Sequence, residues 1–60
     1  MSATFQTWID ASIDIMKNNI AILDELKEGN YFDKLIIQAY ILKKNVDSFV
    51  DFLEKRKKFG

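Results

Sequence analysis

Glu28-Gly29-Asn30 is the stretch that decides the fold. It interrupts a chain that otherwise carries helical spacing from end to end. A glycine just past a helical run acts as a stop, because it enters the left-handed conformation at little steric cost. An asparagine just ahead of the next run acts as a start, because its side chain can accept a bond from an open helix N–H. On this reading Gly29 is the left-handed residue that ends one helix and Asn30 caps the next. Asp33, three residues on, stands in for the glutamate of a capping box and suits the positive end of the helix dipole. The sequence predicts one all-α domain over residues 1–60, with a helix over about 4–28, a turn at 29–30 and a helix over about 31–57. The two helices fold back as an antiparallel hairpin.

Working toward the N-terminus, the first helix starts near Ala3 to Phe5, with Ser2 or Thr4 as its N-cap, and no proline breaks it. Its heptads place Ile9, Met16 and Leu23 on one core position and Phe5, Ser12, Asn19 and Leu26 on the other. Trp8, Ile15 and Ile22 flank this stripe on one side; Ile13 and Ile20 flank it on the other. One neighbouring helix does not cover a face that wide. Ser12 and Asn19 interrupt the stripe. A polar residue at such a position fixes alignment and oligomer state, and the alternative is a polar ligand site inside a bundle.

Toward the C-terminus, Phe32, Ala39, Val46 and Leu53 alternate with Leu35, Leu42 and Phe49, and Ile36 and Val50 widen the face. This seam continues for about three heptads, and no run of strict alternation supports a strand. The fold predicts Phe5 opposite Leu53, Ile9 opposite Phe49 or Val50, and Met16 opposite Leu42. Phe52 lies off this seam.

Composition narrows the function. Sixty residues bury only about 60% of the surface their unfolded chain exposes, so a domain this small needs reinforcement. The chain has neither cysteine nor histidine, which removes disulfides, thiolate sites and imidazole ligands. Association is the reinforcement left. The expectation is a homodimer packed as an antiparallel four-helix bundle, with Trp8, Ile15, Ile22 and Phe52 at the interface between copies. That layout resembles, in outline only, the dimeric hairpin of the small plasmid copy-number regulators that bind RNA; no residue motif is shared and no residue role is carried over.

Ile37, Tyr40 and Ile41 lie on the far side of the second helix from its seam. Large apolar groups this close together mark an interaction surface, for a second copy or for a different protein. Lys55-Arg56-Lys57-Lys58 is the one charge run. It complements the negative end of the helix dipole, or it contacts a nucleic-acid backbone. Nine basic and nine acidic residues give zero net charge, so there is no whole-surface pull toward nucleic acid. The halves differ, however. Residues 1–30 carry five acids and two lysines, net −3, and residues 31–60 carry four acids and seven bases, net +3.

Catalysis has little to stand on. There is no histidine base, no cysteine nucleophile and no glycine-rich phosphate loop. The pairs Asp10/Asp14 and Asp47/Asp51 share helix faces, but those faces are polar and solvated. The expectation is a non-enzymatic protein without cofactor or metal. It acts as a small regulator or adaptor through protein–protein contacts, and its size and lysine-, isoleucine- and asparagine-rich composition suit a phage or bacterial inhibitor of a host protein. The alternative is a small dimeric RNA- or DNA-binding regulator using the basic C-terminus. Neither a signal peptide nor a membrane span of roughly 20 apolar residues is visible, so the expected location is cytoplasmic.

Overall fold

The computed structural model describes the backbone of residues 4–59 and the side chains of residues 4–58. Ser2, one of the two N-cap candidates, lies outside the described residues. Two helices, α1 (Phe5–Glu28) and α2 (Phe32–Phe59), pack against each other as an all-helical hairpin. The Cα trace measures 44 × 22 × 13 Å.

α1 begins at Thr4, whose extended backbone (φ −80°, ψ 163°) is that of an N-cap. Its Oγ1 accepts the Thr7 N–H at 3.1 Å, and its carbonyl accepts the Trp8 N–H at 3.2 Å. Both bonds use groups that a bare helix end would leave open.

The turn differs from its sequence reading. Gly29 has φ −89° and ψ −2°, an ordinary helical conformation, and Asn30 is the left-handed residue at φ 59°. The hydrogen bonds explain the shift. The Asn30 N–H donates to the Lys27 carbonyl at 3.3 Å, and the Tyr31 N–H reaches back to the Leu26 carbonyl at 3.5 Å. This pair of bonds is a Schellman motif, which needs positive φ at the residue after the C-cap, and asparagine is the non-glycine residue that tolerates it best. Gly29 lies under the ring of Tyr31, and a Cβ there would meet that exposed ring and push it aside. Asn30 therefore closes α1 and does not cap α2. The carbonyl of Tyr31 accepts the Leu35 N–H at 2.9 Å and so opens the second helix. Asp33 sits in the first turn of α2, where its charge suits the dipole.

The α1 side of the seam follows its heptads. Phe5, Ile9, Ser12, Met16, Leu23 and Leu26 are half-buried, and Asn19 is buried at 8% exposure. The α2 side is rotated. Leu35, Leu42 and Phe49 face inward as expected, but their partners are Gln38, Asn45 and Phe52. Of the expected second stripe, Phe32, Ala39 and Val46 are exposed, Phe32 at 66%, and Leu53 at its C-terminal end is half-buried as expected. The expected core stripe is corrected by roughly one heptad position. The cause lies in α1. Asn19 sits at the centre of its stripe, and an apolar Ala39 or Val46 opposite would leave its carboxamide unpaired, at about 1–3 kcal/mol. Turning α2 instead brings Asn45 across, and its Nδ2 donates to Asn19 Oδ1 at 2.7 Å. The same rotation takes Phe52 into the seam, where its ring stacks on Phe5 with centroids 5.2 Å apart. Phe5 thus has Phe52 as its ring partner, and Leu53, the residue expected opposite it, is half-buried beside Phe52 in the chain.

Among the described residues no hydrophobic side chain is fully buried. The molecule exposes 5183 Å², where a folded monomer of this mass exposes roughly 4,000 Å². Its radius of gyration is 14.2 Å, against about 10 Å for a compact 60-residue domain. One pair of helices forms a seam but does not enclose a core.

Candidate interaction surface

The hairpin is a flat plate, and the seam divides its side chains between two broad faces. Heptad spacing places Trp8, Ile15 and Ile22 on one flank of α1. On the same face, α2 contributes Ile41 and, seven residues on, Ser48. Between the two flanks runs a groove of about 230 Å³ lined by Trp8, Ser12, Ile15, Asn45, Ser48, Phe49 and Phe52. Its floor is the aromatic end of the seam. Its depth follows from the small side chains Ser12 and Ser48, which leave space that a leucine would fill. Trp8 stands at its wall, 56% exposed.

The opposite face carries Ile13 and Ile20 from α1 and Phe32 and Val46 from α2, with Ile36 and Val50 beside them. All six are exposed. The outer side of α2 presents Ile37 at 61% and Tyr40 at 65% exposure. Tyr40 also lines a cleft of about 210 Å³ with Ile36, Ala39 and Lys43. Ile41 is exposed too, but it shares the flank of Ser48 and belongs to the groove face. Phe52 is part of the hairpin's own seam and also lines the groove.

The basic run does not converge on one point. Lys55 Nζ turns back along α2 to Asp51 Oδ2 at 3.1 Å. The Arg56 guanidinium lies over the Phe5 ring, 5.0 Å from its centroid. Lys57 and Lys58 are exposed. The acid pairs are equally superficial: Asp10 accepts from Gln6 Nε2 at 3.2 Å, and Asp14, Asp47 and Asp51 are exposed. Among the described residues no group of three or more acids gathers as a metal site, and no helix is long and apolar enough to cross a membrane.

Electrostatics at the turn end are local. Lys27 Nζ meets Asp24 Oδ1 at 2.7 Å. That hydrogen bond, and then the carboxylate charge, hold the Lys27 pKa above the ordinary lysine value. A raised lysine pKa favours the fold at pH values below the ordinary value and stops doing so as pH rises through the folded one. The pair is exposed to water, so its effect at neutral pH is minor. Lys34 Nζ lies 5.0 Å from the centroid of the Tyr31 ring, beside the turn.

The groove residues Asn45 and Ser48 are the ones that sequence reasoning passes over. The signal for Asn45 was present: it is an asparagine at heptad spacing from Gln38 and Phe52, in a helix that must answer the central Asn19. Comparison of the chain with protein-family models, curated proteins and solved structures gave no match. The functional reading therefore rests on the surface itself.

Proposed function

We propose that this chain is a non-enzymatic adaptor or regulator that works by presenting apolar helix faces to protein partners, the first of which is a second copy of itself. The observation that carries the reading is the lack of any fully buried hydrophobic side chain among the described residues, while Trp8, Ile15, Ile20, Phe32, Ile37 and Tyr40 stand more than half exposed. Monomers seldom leave apolar patches of that extent open to water. Two copies stacked plate on plate form a four-helix bundle and cover one face of each. The outer side of α2, centred on Ile37 and Tyr40, then remains for a different protein, while Ile41 goes with the groove face. Regulation of a host protein by a phage or bacterial polypeptide is a role that suits such a module.

Light scattering coupled to size exclusion tests the reading. The expected particle has twice the 7.0 kDa chain mass. Ile37→Asp combined with Tyr40→Asp leaves that mass unchanged, because neither residue lies on the groove face. A folded particle of single-chain mass at micromolar concentration removes the proposal.

A further inference from the structure

We infer that the groove face is the seam between two copies, and that Trp8 of each copy docks into the groove of the other about a twofold axis parallel to the long axis of the hairpin. This deepens the self-association proposed above and rests on it.

Area comes first. The chain exposes 5183 Å², roughly 1,100 Å² more than a folded monomer of its mass. A stable interface removes about 800 Å² from each partner, so covering one face of the plate accounts for most of the excess. Shape selects which face. Trp8 and Ile15 form a ridge on α1, and the space above Ser12 and Ser48 forms a trough beside it. Phe52 stacks on Phe5, and Trp8 lies less than one helical turn along α1 from Phe5 and lines the same trough as Phe52, so Trp8 and Phe52 lie within about a turn of one level along the hairpin. A twofold parallel to the long axis preserves levels and exchanges sides. It therefore brings Trp8 of the second copy down at the height of Ser48 and Phe52. The trough is apolar except for two hydroxyls and the Asn45 amide. A docked indole needs such a mixture, because its ring is apolar and its N–H requires an acceptor when buried.

Charge selects the axis. α1 carries five acids and two lysines and α2 carries four acids and seven bases, so their nets are −3 and +3. A twofold along the hairpin lays α1 over α2 in both halves of the interface, opposite sign on opposite sign. A twofold across the hairpin would lay α1 over α1 and α2 over α2. Facing opposite potentials favour encounter in the first arrangement and oppose it in the second.

The test uses two features of the chain: it holds one tryptophan and no cysteine. Trp8 emission should lie to the blue in the dimer and move to the red on dilution into the monomer. Trp8→Ala and Ser48→Phe should each raise the dimer Kd by at least about thirtyfold, the size of a hot-spot loss. Ser48 is exposed in the hairpin, so its replacement fills the trough without disturbing the fold, and circular dichroism checks that it has not. Spin labels on Glu28→Cys should lie at one end of the dimer, close together; the crosswise axis would separate them by a distance approaching the 44 Å length. A dimer in which Trp8 stays open to quencher, or which tolerates Ser48→Phe at full affinity, or whose labels lie at opposite ends, overturns this placement and leaves self-association standing. A folded single copy overturns both. A single copy whose Trp8 emission shifts only on adding a different polypeptide overturns both in favour of a heterologous occupant.

Discussion

Asn30 carries the turn, and the substitutions that prove it are small. Its φ of 59° lies where L-residues with a Cβ are strained and glycine is not. Asn30→Gly should be neutral or slightly stabilising. Asn30→Val should cost about 1–2 kcal/mol, the penalty of a left-handed residue whose side chain has no local bond to offer. Chemical denaturation of the two variants gives both values. Equal stability would mean that the left-handed position lies elsewhere. The sequence pair Gly29-Asn30 pointed to a helix break but not to the division of labour within it. Both residues favour turns, and which of them takes positive φ depends on the residue at which α1 closes its last hydrogen bonds, and helix ends are the least legible boundary in a sequence.

At the scale of the element, the rotation of α2 is the main departure from the sequence pattern. Heptads placed every α1 seam residue, because apolar positions dominate that stripe and Asn19 lies within it. In α2 two stripes compete, and the more apolar one, through Phe32, Ala39, Val46 and Leu53, faces outward along most of its length, with only Leu53 half-buried. A hydrophobic count favours that stripe for the core; the need to pair Asn19 overrides it. This account predicts strong coupling. Asn19→Leu or Asn45→Leu alone leaves one carboxamide facing an apolar side chain and should destabilise by about 1–3 kcal/mol. The double substitution should recover most of that loss, since removing both partners is close to neutral. Its seam should then lose the device that fixes α2, and Phe32 and Val46 should gain protection from solvent labelling as α2 turns. Additive losses in the double-mutant cycle would show that the Asn19–Asn45 bond does not set the rotation.

For the whole molecule, the deciding quantity is surface. A plate two helices wide has one seam and two faces, and in this chain both faces are apolar. The small size of the chain and the width of the α1 stripe made the lack of an enclosed core legible. The groove was not legible, because it arises from Ser12 and Ser48 lying across from each other, and that juxtaposition depends on the rotation of α2. If association supplies the missing burial, folding and assembly are linked by mass action, and stability must depend on protein concentration. The most direct measurement is thermal unfolding over a hundredfold range of concentration. The melting temperature should climb steadily as the protein is concentrated, whereas a cooperative transition that stays at one temperature across the whole range, from a particle of single-chain mass, would contradict the account.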